Sequence, residues 1–187
     1  MKGYAISKGI TINTDLSFVN GIKVNAGITL MDVYEIDKNT AAEKIKIPQL
    51  FAPKFSGTYA VSYSIPNSGF SFDWTGRVNG PMHLPVLPND FRPAMSPTYC
   101  IMNLQMTKTF GKSWEIYTGV KNLLNFVPKD VFIHADDPFN KAGGKYFDNN
   151  NNPRTDTNPN GYTFDPSYNF AAIQGAKGFI GVRWMMK

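Results

Sequence analysis

The stretch Ile10-Thr-Ile-Asn-Thr-Asp-Leu-Ser-Phe-Val-Asn20-Gly21-Ile-Lys-Val-Asn-Ala-Gly-Ile-Thr-Leu30 decides the fold. Ile10, Ile12, Leu16 and Phe18 alternate with Thr11, Asn13, Asp15 and Ser17, and after Asn20-Gly21 the alternation resumes with Val24, Ala26, Ile28 and Leu30 against Lys23, Asn25, Gly27 and Thr29. A period of two puts successive side chains on opposite faces of a strand, so each run has one apolar and one polar face. Asn-Gly between two such runs predicts a hairpin, with a type I′ turn in which both central residues adopt positive φ.

Working outward, the pattern recurs. Phe55, Tyr59, Val61, Tyr63 and Ile65 alternate with Ser56, Thr58, Ala60, Ser62 and Ser64; after Pro66-Asn67-Ser68-Gly69 come Phe70, Phe72, Trp74 and Val78 against Ser71, Asp73, Thr75 and Arg77. Cys100, Met102, Leu104, Met106 and Phe110 oppose Tyr99, Asn103, Gln105 and Thr107, and a turn at Gly111-Lys112 leads to Trp114, Ile116, Thr118 and Val120 against Glu115, Tyr117, Gly119 and Lys121. A last run sets Ile180, Val182, Trp184 and Met186 against Phe179, Gly181 and Arg183. The count is about seven strands, and the fold class expected is all-β and antiparallel.

Long connections alternate with the tight turns. Asp37 to Gln49 carries several charges, Asn79 to Pro97 holds five prolines, and Phe126 to Tyr168 is rich in Asn and Gly; all three are read as loops. Short and long connections in strict alternation place every tight turn at one end of the sheet. Transmembrane β-barrels of bacterial outer membranes have this asymmetry. Aromatic residues near strand ends, among them Phe18, Tyr34, Phe70, Phe110 and Trp114, suit the interfacial belts of a membrane protein. The alternation alone fits a soluble extracellular β-sandwich, a ligand-binding module, equally well. Loop asymmetry favours the barrel, and an odd strand number makes it a partial one.

Composition agrees with a β-rich chain. Of 187 residues 42% are hydrophobic and 14% aromatic, and the 19 Lys and Arg against 14 Asp and Glu leave a net charge of +5. The basic residues are dispersed and form no block, which argues against nucleic acid and leaves anionic lipid or lipopolysaccharide as partners. No run of eighteen apolar residues forms a transmembrane helix, and the mean hydropathy of −0.27 is what alternating membrane strands give. Cys100 is the single cysteine and excludes a disulfide scaffold. Met1 to Gly9 has no apolar core of a signal peptide, so the chain is expected to be the tail of a longer protein.

Gly119-Val120-Lys121-Asn122-Leu123-Leu124-Asn125 resembles the Gly-Val-x-Asn-Leu-Leu-Asn/Asp element in the penultimate strand of TonB-dependent receptors. Asp165-Pro166-Ser167-Tyr168-Asn169-Phe170-Ala171, followed by Gln174-Gly175-Ala176-Lys177-Gly178-Phe179-Ile180-Gly181-Val182-Arg183-Trp184, is similar to that family's closing strand. Upstream, Gly9 to Asp37 and Pro53 to Arg77 resemble its earlier hairpins, so the likeness covers nearly the whole chain. The resemblance implies that residues 1–187 are the C-terminal segment of a 22-stranded barrel in the outer membrane of a Gram-negative bacterium, without its plug domain and N-terminal strands. It further implies that the parent imports an iron–siderophore complex, cobalamin or a saccharide by TonB-coupled active transport. Implied partners are outer-membrane lipid and lipopolysaccharide, the rest of the barrel and the plug, and TonB only through the absent N-terminal parts. The chain departs from the family at its end, Trp184-Met185-Met186-Lys187, where the family usually has a terminal aromatic residue.

No cofactor, metal or catalytic site is expected. His83 and His134 lie in separate loops and are read as exposed. Asp148 to Asn152 imitates the start of a calcium loop, but Pro153 and Pro159 stand where Gly and Glu are required. No phosphate-binding glycine loop or Gly-x-Ser-x-Gly elbow occurs. For substrate binding, the candidates are the long-loop residues Asp136, Asp137, Arg154 and Tyr162. Asp15, Asp73, Arg77, Glu115, Lys121 and Arg183 are placed on the polar face, where they would line a lumen.

Overall fold

A computed structural model describes residues 4–38, 44–86, 92–132, 139, 148–150, 152, 154, 161 and 164–186. It is all-β, with eight strands and no helix among the described residues. The strands are β1 (Tyr4–Ser17), β2 (Ile22–Lys38), β3 (Lys44–Pro48), β4 (Phe55–Ser64), β5 (Phe70–Asn79), β6 (Tyr99–Phe110), β7 (Trp114–Lys121) and β8 (Lys177–Trp184). They form one open antiparallel sheet in the order β1-β2-β4-β5-β6-β7-β8, with β3 paired to β2 beside this path. A second sheet packed on the first, as a sandwich needs, is not present among the described residues.

β3 corrects the expected loop from Asp37 to Gln49. Ile45 and Ile47 alternate with Lys44 and Lys46, and this short run pairs with Tyr34 to Lys38, so that β2 rises above its pairing with β4. The lysines obscured the period-two signal in the sequence. Lys46 is tied to Asp32 at 2.9 Å and its ammonium sits 3.9 Å from the Tyr34 ring centre.

The first hairpin is also not the expected type I′ turn. Only Gly21 has positive φ, +85°, while the Gly21 N–H donates to the Phe18 carbonyl at 3.2 Å and the Phe18 N–H to Ile22 at 2.8 Å. This is a three-residue loop, a turn over Phe18 to Gly21 closed by a left-handed glycine. Between β4 and β5, Pro66 and Asn67 (φ 58°) supply the fixed and the left-handed positions that a type II turn requires.

Ladder registers fix which residues share a face, because directly opposed residues point the same way. From one edge to the other, Ile12 faces Ile28; Val24 faces Val61; Val61 faces Trp74; Trp74 faces Leu104; Leu104 faces Val120; and Ile116 faces Val182. The apolar faces of seven strands are thus in phase. The other face carries Asp15 opposite Asn25, Ser62 opposite Asp73, Asp73 opposite Gln105, and Glu115 opposite Arg183. The turns between β1 and β2, β4 and β5, and β6 and β7 lie at one end, and the connections from β2 to β4, β5 to β6 and β7 to β8 lie at the other.

Candidate functional site

Two features bear on function: the apolar face and a cluster of loops at the long-connection end. The apolar face is uncovered. Ile10 is 69% exposed, Trp74 43%, Leu104 40% and Ile180 77%, although a soluble sheet would bury such residues against a second layer. On β4 this face runs from Phe55 to Tyr63, about 27 Å at roughly 3.4 Å per residue. At the tilt of about 40° usual in outer-membrane barrels, that is about 21 Å of height, near the apolar band of about 25 Å such barrels carry. Aromatics gather toward the tight-turn end, where Trp114 and Trp184 stack across β7 and β8 with ring centres 5.8 Å apart.

Large rings on the sheet rest over glycines. A Cβ on Gly76 would lie 2.3 Å from the Tyr59 ring, one on Gly181 2.3 Å from that of Tyr117, and one on Gly119 2.7 Å from that of Phe179. Each glycine is directly opposite the aromatic residue that covers it. These pairs cover glycine backbone with aromatic surface and hold the register.

On the polar face the placement expected from sequence holds for the charged residues of the ladders. Ser62 donates to Asp73 at 2.6 Å, Arg77 to Asn79 at 3.0 Å, and Arg183 pairs with Glu115 at 2.8 Å.

The loop cluster contains the buried hydrophobic core of the described residues: Met82, Leu84, Val131 and Tyr168, with Tyr99 and Phe170 packed on them. The β5–β6 connection folds back on itself, the Leu84 N–H donating to Ala94 at 3.0 Å and the Ser96 N–H to Met82 at 2.9 Å. It is then joined to the β7–β8 connection by a buried ion pair between Arg92 and Asp165. Arg92 also lies 4.3 Å from the Tyr168 ring centre, and the Tyr168 hydroxyl donates to the Pro93 carbonyl at 2.5 Å. Burial alone would push the Asp165 carboxyl up, but bonds from Arg92 and from the Ser167 hydroxyl and N–H outweigh it and hold the carboxyl below its usual 3.8.

Asn122 of the Asn-Leu-Leu element has φ 52° and is buried. Its amide nitrogen donates to Phe126 at 2.8 Å and Gln174 at 3.1 Å, while its amide oxygen accepts from the Phe126 N–H at 3.0 Å. Asn125 in turn accepts from the Ala176 N–H at 2.8 Å. These two asparagines pin the start and end of the longest connection together and so return the chain to pair β8 with β7.

Beside this cluster lies a pocket of about 630 Å³, walled by Pro93, Tyr99, Leu124, Phe126, Val127 and Phe170, with Lys129 and Asp130 also on its lining. Tyr99 and Phe126 stack at 4.7 Å. The substrate candidates read from sequence do not line it: Arg154 is exposed, and Asp136, Asp137 and Tyr162 lie outside the described residues, as does His134. His83 is half-buried rather than exposed, because its backbone bridges Leu50 and Met95. The Asp148 carboxylate accepts from the Asn150 and Asn152 N–H groups at 2.9 and 2.8 Å, a local turn. No group of three metal-ligating side chains occurs among the described residues.

Sequence reading missed Arg92, and missed its pairing with Asp165 from a connection far away in sequence. Asn122, Asp165 and Tyr168 fall within the stretches that resemble the receptor family, but nothing local shows what they contact. The chain matches no protein-family profile and no curated protein.

Proposed function

We propose that this chain is a wall of a transmembrane β-barrel in the bacterial outer membrane, the C-terminal segment of a TonB-dependent receptor whose parent imports a siderophore, cobalamin or a saccharide. The observation that carries the membrane assignment is the uncovered apolar face, continuous and in phase over seven strands while the opposite face is charged and polar. Lipid would cover the first face and water in a lumen would meet the second. The receptor assignment rests on the Asn-Leu-Leu element and the closing-strand sequence, and on the role Asn122 has in returning the chain to β8.

Topology adds a constraint on what completes the wall. β1 and β8 are the first and seventh strands of an antiparallel path, so they run in the same direction. Further strands that close the sheet with antiparallel pairing must therefore be odd in number. A barrel of 22 strands would supply 15.

Folding in the presence and absence of amphiphile tests the membrane assignment. The chain is expected to give a β-sheet circular dichroism signal and heat-dependent gel mobility in detergent micelles or bilayers. A cooperatively folded monomer in plain buffer would overturn it.

A further inference from the structure

The upper part of β1, β2 and β3 stands above the apolar band, and its charges are sorted by face. Lys8 pairs with Asp32, and Lys46 pairs with Ile36, so Lys8, Asp32, Tyr34, Lys44 and Lys46 share the face that carries Ile10 and Leu30 lower down. Glu35 and Asp37 fall on the opposite face. On this face Lys8, Lys44 and Lys46 outnumber Asp32. The lysines converge: the Lys46 and Lys8 ammoniums lie 3.9 and 5.7 Å from the centre of the same Tyr34 ring. Directly below, an open depression of about 440 Å³ is lined by Lys8, Asp32 and Lys54 on its charged side and by Ile10 and Leu30 on its apolar side.

We propose that Lys8, Lys44 and Lys46 bind the phosphate headgroup of an anionic membrane lipid, whose acyl chains run down over Ile10, Leu30 and Ile28. The inference rests on the reading of the sheet as a membrane wall and adds a specific lipid site to it. Phosphate oxygens accept hydrogen bonds from ammonium groups, and two lysines converging on one ring are a stronger anchor than dispersed surface charge. Tyr34 occupies the level at which an amphipathic ring prefers the boundary between headgroups and hydrocarbon. A soluble acidic partner would gain the charge contact but not the apolar side of the depression, which favours a lipid.

The test uses the full chain in phosphatidylcholine bilayers containing a small fraction of spin-labelled phosphatidylglycerol or, in a parallel sample, spin-labelled phosphatidylcholine. The expected result is a severalfold excess of immobilised phosphatidylglycerol that falls as salt is raised. The double variant Lys8→Gln, Lys46→Gln should abolish this excess, leaving the two lipids about equally immobilised. The same charge change on the other face, Lys121→Gln with Lys177→Gln, should leave it intact. A chain that inserts but shows no preference, or a Lys8→Gln, Lys46→Gln variant that keeps it, overturns the lipid site and leaves the wall reading standing. A chain that does not enter phosphatidylcholine bilayers overturns both.

Discussion

Single residues in the loop cluster hold long connections that the sheet itself does not order. Asp165→Asn would break the buried ion pair with Arg92, at a cost of about 3–5 kcal/mol to the cluster. Limited proteolysis of the β5–β6 connection should then be much faster than in the parent chain. The same pair predicts acid sensitivity with a definite sign. Asp165 titrates lower in the folded chain than unfolded, so its stabilisation is present above the unfolded carboxylate range and is lost as pH falls through the depressed folded value. Amide exchange at Met82, Leu84 and Ser96 should thus accelerate below about pH 4 while the ladder amides of β4 to β6 stay protected. Asn122→Ala removes partners from the Phe126 N–H and from the Phe126 and Gln174 carbonyls, and should cost about 1–3 kcal/mol for each group left buried and unpaired. Thermal unfolding in detergent, with β8 detaching first, checks this.

The strands were the most legible level of the sequence, because a one-residue slip of any of them would turn its apolar set to the wrong face. Val24, Val61, Trp74, Leu104 and Val120 could each be assigned by alternation alone, and the registers bring them into one row. β3 was hidden because its lysines lie beside Asp32 and Tyr34, partners that only the pairing reveals. Residues of the loop cluster were illegible for a related reason. Arg92 and Asp165 are 73 positions apart, and nothing local distinguishes a charge that will be buried from one that will not. At this scale the two faces should respond oppositely to charge. Ile28→Lys, in the middle of the apolar band, should cost about 2–4 kcal/mol in a bilayer, and Thr29→Lys, one residue on, much less. Urea midpoints in lipid vesicles measure the difference. The glycine–aromatic pairs give a second contrast, since a methyl at Gly181 meets the Tyr117 ring whereas one at Gly178 has no atom closer than 4.0 Å. Gly181→Ala should therefore destabilise β8 by about 1–3 kcal/mol, with Gly178→Ala near neutral or stabilising.

For the molecule as a whole, the sheet is open, with β1 of 14 residues and β8 of 8 at its ends and neither edge paired further among the described residues, and on the proposed reading it is an incomplete wall. Parity forbids copies of one membrane orientation from closing it, because β8 of one copy would lie parallel to β1 of the next. Cysteines placed at Ile12 and Ile180, with Cys100 changed to Ser, should thus give no Ile12-to-Ile180 disulfide between copies in a bilayer, and its formation would refute the antiparallel closure argument.

The central claim, that the face bearing Val24, Ala26, Ile28 and Leu30 lies against lipid, is tested most directly by spin labels placed one at a time from Lys23 to Leu30 of the chain in bilayers. The account predicts a period of two, with even-numbered positions accessible to oxygen dissolved in the hydrocarbon and odd-numbered positions accessible to a water-soluble nickel chelate. Equal access of the chelate to both faces, or protection of the even positions from both reagents as in a protein core, would contradict it.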